Sequence, residues 1–534
     1  MHAPLIFIGA LIAIAALALV AKRISLSYPI AFIFGGIGLA LIPGLPAILI
    51  APEMILVIFL PPLLMEAAYF TSLRDFRFNL RPILLLAFGL VFMTSAVVAA
   101  VVVALIPSAT WALGFVIGAI VSPPDAVAAT SVIKHLRVPK RIISVLEGES
   151  LVNDATGLVI YKFAVAAVVT GMFSLQHAAL EFLWMASAGI GIGLGIGHVY
   201  MCMFPRIRDR SVEILSTFIL PYAVYILAEL ADASGVLAVV AAGLTVGWHA
   251  PERFSSSLRL AAGTVWEMVV FLLNGLVFLL IGLQFPAILE GISRYEPAAL
   301  MGYAAAICTA VILTRFAWVF SATYLPRLLF PSIRLRDTTP SWQNIFLVAW
   351  TGMRGVVSLA TALALPFAVA DGSAFPHRDL VLFLAVMVIG FTLIVQGLPL
   401  PWLIRRLMLT YNPEIRFEEW QARVSSAREA LIKLASVEVD SPLKTSALMR
   451  IRSHYEDRIA SLGDGPNTPL FPSEEPDGDS HPALVAERDI WTQVLDAERK
   501  MIISLRKSFQ INDDIMHDLL RDLDRMAMRF RIQE

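Results

Sequence analysis

Apolar residues gather in thirteen runs along the first three-quarters of the chain, approximately 4–21, 28–50, 52–70, 82–106, 111–133, 142–172, 177–204, 211–231, 233–250, 260–289, 297–325, 342–366 and 380–404. About twenty apolar residues in helical form cross a bilayer core, so the pattern predicts about 13 transmembrane helices. Pro43 and Pro46 interrupt the second run, and Asp232 falls between the eighth and ninth. Beyond Tyr411 the pattern changes. Residues 413–462 carry charges at helical spacing, and Gly463 to Pro482 is rich in Gly, Pro, Asp and Ser, the composition of a linker. A long amphipathic pattern then sets Trp491, Leu495, Ile502, Leu505, Phe509, Leu519 and Leu523 on one stripe. The stripe suits a small helical bundle packed on itself, and equally a regulatory or dimerising tail. The chain thus divides into a membrane domain, residues 1–410, and a helical C-terminal region, residues 411–534.

Composition agrees with this reading. Of 534 residues, 58% are hydrophobic and 16% charged, which defines an all-α polytopic membrane protein. The net charge of −1 says nothing about partners, and no nucleic acid is expected. Cys202 and Cys308 both lie in apolar runs and match no metal-ligand spacing. The first run lacks a basic leader and is followed by Lys22 and Arg23, the charge order of an uncleaved span with its N-terminus outside. Alternating the loops between two sides places nineteen Lys and Arg on one and only Arg294 and Arg378 on the other. A miscounted span would mix the sides, so the asymmetry supports the count and predicts a cytoplasmic C-terminus in the cell membrane.

The chemistry lies in the few ionisable residues within the runs. The sixth holds Glu147, Glu149, Asp154 and Lys162, with Asp154 about 18 Å along the helix from Ile142 and near mid-membrane. Glu66 lies in the third run, Asp125 in the fifth, Glu229 in the eighth, Glu267 in the tenth, Arg315 in the eleventh and Arg354 in the twelfth. Ionisable groups at such depth face polar cavities and serve ion or proton paths. Two of these spans are broken by their own sequence: Pro123-Pro124 precedes Asp125, and Gly352 and Gly355 bracket Arg354. Irregular backbone at membrane depth lines a cavity or is buried in protein. The two breaks fall at corresponding places in runs 1–6 and 8–13, the pattern of two inverted repeats with two broken, crossing helices around a midplane site.

Glu66, Asp125, Ser150 and Asp154 form an all-oxygen set suited to a hard cation such as sodium. Carboxylates desolvated together also hold a proton when no cation is present, so one site can serve both ions. Arg354 needs a partner, and Glu149 is the expected one, as a structural ion pair.

Phe59 to Tyr69, Ser122 to Ala129, Glu147 to Asp154 and Gly352 to Gly355 resemble the monovalent cation/proton antiporter family, which includes bacterial sodium/proton antiporters and animal sodium/proton exchangers. The resemblance covers about residues 1–410. Asn153-Asp154 resembles the signature of its electroneutral branch. By resemblance, Asp154 and Asp125 bind the cation, Glu66 and Ser150 match further ligands, Asn153 supports the site, and Glu149 and Arg354 match the family's ion pair. The implied assembly is a homodimer with a dimerisation domain beside a core domain. Family members usually read Thr-Asp-Pro where this chain has Pro124-Asp125-Ala126. The proline has moved across the Asp, which keeps the break but removes a hydroxyl that commonly binds the cation, a change that bears on selectivity among sodium, lithium and potassium.

The expected function is therefore one-for-one exchange of sodium, or another monovalent cation, for protons by alternating access, with sodium at Asp154, Asp125 and Glu66, no cofactor, and membrane lipids around it. A channel or a transporter of another solute on the same scaffold is the alternative; a channel needs no titratable midplane carboxylate. An enzyme is not expected, since Ser150 has no His near its depth.

Overall fold

The computed structural model describes residues 2–529 apart from 25–26, 43–50, 134–137, 172–174, 208, 333–338, 370–371, 408–413, 439–440 and 464–480, and the described residues form helices and no strand. The chain begins with α1 (His2–Arg23), α2 (Tyr28–Ala40), α3 (Pro52–Phe70) and a short α4 (Leu73–Phe78). Next comes α5 (Leu80–Leu105), which widens to π geometry over 85–90. The first broken span is α6 (Trp111–Val121) and α7 (Ala126–Ile133). Five long helices follow: α8 (Lys140–Thr170), α9 (Leu175–Met203), α10 (Arg210–Leu230), α11 (Gly235–Arg253) and α12 (Ser256–Gly291). Then come α13 (Pro297–Leu329), the second broken span α14 (Trp342–Trp350) and α15 (Val356–Leu363), and α16 (Arg378–Arg406).

Every apolar run carries a helix or a broken helix, although Pro43 and Pro46 of the second run lie outside the described residues. Seven described helices are long and apolar enough to cross a bilayer unaided; shorter helices, α2, α3 and α6 among them, fill other runs. Polar caps set several boundaries. Thr110 accepts from Leu113 N at 3.2 Å to start α6, Asp209 caps α10, Ser234 caps α11, and Gly171 at φ 71° ends α8.

The membrane helices pack as two bundles. α1, α2, α3, α9, α10, α11 and α12 form one, a scaffold; α5 to α8 and α13 to α16 form the other, a core. They meet where α3 and α12 touch α15, α3 and α11 touch α8, and α12 touches α16. Within the scaffold, Gly189, Gly193 and Gly197 of α9 face Ser234, Ala238 and Ala242, so closely that a Cβ at Gly189 or Gly193 would overlap backbone.

The C-terminal region folds as α17 (Glu414–Ala435), α18 (Pro442–Gly463), α19 (His481–Lys507) and α20 (Asp513–Arg529), with its own apolar core. Trp491, Leu495, Ile502, Leu505, Leu519 and Leu523 are buried in it, as the stripe predicts. Phe509 is not: it occupies the turn between α19 and α20 at φ 61° and is exposed beneath the Arg74 guanidinium. Most of the 463–482 linker lies outside the described residues. The bundle also docks on the membrane domain. Arg259 Nε meets Asp524 Oδ2 at 2.8 Å, Arg506 donates to Trp248 O at 2.7 Å, Ser72 Oγ donates to Asp513 at 2.6 Å, and Lys140 lies 3.5 Å from Asp514.

Candidate functional site

Ser150, Asn153 and Asp154 stand at i, i+3 and i+4 on α8 and so share one face. Asn153 and Asp154 are buried, and Ser150 is half-buried. That face holds the first break. Pro123 and Pro124 end α6 because neither offers a backbone N–H and each restricts the residue before it. Asn153 Nδ2 donates to Pro124 O at 2.9 Å, and Ala126 N, at the start of α7, donates to Ser150 Oγ at 3.3 Å. Asn153 Oδ1 has no hydrogen-bond partner among the described residues, which leaves a buried oxygen for a cation or water to satisfy. Asp125 is near enough to Asp154 for their charges to interact.

The two breaks cross directly, with Asp125 N donating to Met353 O at 2.7 Å. Each break exposes a carbonyl end of a half-helix, and an arginine meets each. Arg354, from the second break, donates through Nε to Val121 O at 2.7 Å and through Nη2 to Ser122 O at 3.3 Å, at the end of α6. Arg315, from α13, donates through Nη2 to Val348 O at 3.0 Å and Thr351 O at 3.2 Å, at the end of α14. Guanidinium groups thus sit at the negative ends of both half-helix dipoles. A positive end faces the acid: Gly355 caps α15, and a Cβ there would overlap Asp125 Oδ2, so only glycine lets the carboxylate so close to that helix N-terminus.

The expected pairing of Glu149 with Arg354 is corrected here. Glu149 takes two hydrogen bonds from Arg315, Nη1 to Oε1 at 2.6 Å and Nη2 to Oε2 at 3.1 Å, and both side chains are 1% exposed. Five residues at about 100° each turn Glu149 roughly 140° around α8 from Asp154, toward α13 and the end of α14. Arg354 spends its donors on backbone carbonyls instead.

Glu66 lies on α3, partly buried, on the scaffold helix that touches α8 and α15. Among the described residues no three His, Cys, Asp or Glu side chains gather as a metal-holding group, and Glu66 belongs to a different bundle from Asp125 and Asp154. Lys162 is bonded to Glu229 of α10, at 2.7 and 2.9 Å.

Two residues of the crossing drew no notice in the sequence. Thr392 accepts from Arg354 N at 3.2 Å, and Gln396 is 1% exposed with neither side-chain amide atom partnered among the described residues. Both are polar groups in an otherwise apolar run, and that was the available signal.

Crossed, broken helices with polar groups on unwound backbone define a secondary transporter's core. The chain belongs to the sodium/hydrogen exchanger transmembrane family, whose sequence pattern matches residues 9–406. An Escherichia coli protein named as an uncharacterized Na(+)/H(+) exchanger, YjcE, is 31% identical over 493 residues, covering 89% of this chain and 88% of its own. A sodium, potassium, lithium and rubidium/H(+) antiporter of Bacillus pumilus is 36% identical over 399 residues, covering 70% of this chain and 57% of its own. The fold is similar to that of the sodium proton antiporter MjNhaP1 from Methanocaldococcus jannaschii, with a TM-score of 0.59 and 16% identity over 76% of this chain and 99% of the other.

Proposed function

We propose that the protein is a secondary antiporter that exchanges sodium, or a related alkali cation, for protons, and that Asp154 is the carboxylate both ions compete for. The observation that carries this reading is the placement of Asp154: buried at the crossing, beside Asp125, with no cationic side chain bonded to it among the described residues. A carboxylate without a fixed counter-ion must take one from solution when buried, either a proton or a metal ion. Asp125, Ser150 and Asn153 Oδ1 offer further oxygens, and Glu66, on the scaffold helix α3 that touches α8, is a further candidate ligand as the bundles move. Alternating access then follows from movement of the core against the scaffold.

The same reading orients the chain. Arg74, Lys140, Arg253 and Arg259 lie at the end where the C-terminal bundle docks, and Arg294 and Arg378 belong to the loops of the opposite end, which supports a cytoplasmic C-terminus and an outer N-terminus in the cell membrane. The working assembly is a homodimer through the scaffold.

The test is proton movement in proteoliposomes on addition of each alkali chloride in turn. Sodium-dependent proton flux in wild type, absent in Asp154→Asn, is the expected result; cation flux without proton coupling would favour the channel alternative.

A further inference from the structure

Two ion pairs on α8 differ in a way that bears on transport. Glu149–Arg315 joins α8 to α13, two helices of the core, and both side chains are 1% exposed. Lys162–Glu229 joins α8 to α10, a core helix to a scaffold helix. Its side chains are 40% and 34% exposed. Glu229 is anchored on its own side, because its Oε1 also accepts from Gly235 N at 3.2 Å, at the start of α11.

Position along α8 gives this difference a meaning. Lys162 lies eight residues beyond Asp154, about 12 Å toward the outer end. Toward the other end, Ser144 and Glu147 of α8 line a small cavity with Thr71, Ser72, Asp75, Phe76 and, from the docked tail, Asp514. The Lys162–Glu229 pair therefore ties the bundles at the outer half of α8, beyond Asp154.

We propose that Lys162 and Glu229 form the outer latch of the transporter: a cross-bundle pair that holds the core on the scaffold while Asp154 faces the cytoplasm, and that must open for Asp154 to face outside. The inference rests on the alternating-access reading above. A latch has to break in every cycle. Glu149–Arg315 would leave two dry charges apart, and since both partners ride on the core it never needs to open. Lys162–Glu229 is far less enclosed by protein than Glu149–Arg315, and it spans the surfaces that move. Lys162 is thereby a positioning residue, acting on which side the site faces rather than on the cation.

The test is a reversible tether. In a Cys202→Ala/Cys308→Ala background, Lys162→Cys and Glu229→Cys are joined by a short bis-methanethiosulfonate reagent in proteoliposomes. Sodium-dependent proton exchange should fall about tenfold or more and return on reduction, while either single cysteine with the same reagent keeps its rate. Complete cross-linking, verified by mass, with an unchanged rate would overturn the proposal. Lys162→Gln and Glu229→Gln give a second readout. Loss of the latch populates the outward-facing state, so the apparent sodium KM should fall on the outer side and rise on the inner side. A drop in maximal rate with neither KM moved would show a merely structural pair and overturn the latch. Absence of sodium-dependent exchange in wild type would count against the antiport reading itself, and is seen before any variant is made.

Discussion

The Glu149 carboxylate is clasped by the Arg315 guanidinium through two hydrogen bonds, and the same arginine reaches on to the last carbonyls of α14. One side chain therefore ties the site-bearing helix to the second broken span. Glu149→Gln or Arg315→Ala leaves a buried charge unpaired, and each should cost about 3–5 kcal/mol of stability. Thermal unfolding in detergent across a Glu149→Gln/Arg315→Gln cycle should show strong coupling, whereas Glu149→Gln with Arg354→Gln should couple less. Additive losses in the first cycle would refute the pairing.

Asp154→Asn should reduce exchange to the level of empty liposomes while the purified protein keeps wild-type unfolding temperature and size. The amide preserves shape and Asn153's hold on Pro124 O, so only the exchangeable charge is lost. Wild-type-like proton flux from this variant would remove Asp154 from the transport site.

Gly355→Ala should impair exchange by about tenfold or more, because the new methyl group displaces the Asp125 carboxylate from the α15 N-terminus. Gly263→Ala, at a glycine with open space around it, is the matched control. Equal exchange rates for the two variants would show that the close approach of Asp125 is not needed.

The polar face of α8 was legible in the sequence because Ser150, Asn153 and Asp154 interrupt an apolar run at helical spacing, and the two breaks were legible from Pro123-Pro124 and from Gly352 and Gly355. Depth can be read from such a run; direction around the helix toward a particular neighbour cannot. Depth alone matches Glu149 to Arg354; its azimuth carries it to Arg315. The docking of α20 was hidden for a related reason. Asp513, Asp514 and Asp524 look like ordinary solvated charges until Ser72, Lys140 and Arg259 are set opposite them.

Exchange should be one-for-one and insensitive to voltage. Lys162 is bonded to Glu229 rather than to Asp154 or Asp125, and Asn153 has no ionisable proton to trade. If Asp154 trades one proton for one monovalent cation, no net charge crosses a field that would otherwise act with about 2.3 kcal/mol per charge per 100 mV. Exchange rates in proteoliposomes clamped with potassium and valinomycin should not vary with potential; a transport current would implicate another titrating group.

Acidification should loosen the docked tail. Burial lowers the His517 pKa below its ordinary 6.5, with Arg506 and Arg521 acting in the same direction and Asp513 and Asp514 opposing them. A histidine depressed in the folded state contributes fully above its unfolded value, and that contribution is lost as the pH falls below about 6.5. Asp75 has the opposite sign: burial and Asp514 raise it, so its protonation relieves strain in a more acidic window. Amide protection over 513–529, taken relative to the intrinsic rate at each pH, should therefore fall between about pH 7.5 and 5.5 in wild type and stay level or rise in His517→Gln. Identical pH profiles for the two would exclude His517.

The glycines of α9 decide where this protein can bend. Where Gly189 and Gly193 meet α11, helix lies on helix with no side chains between them to change rotamer, so the joint has no soft coordinate. Such a pair shears only by breaking contact along its length. Motion is then directed away from the α9–α11 seam and into the boundary between the bundles. Stiffness in one half of the molecule is thus what gives the other half a defined track.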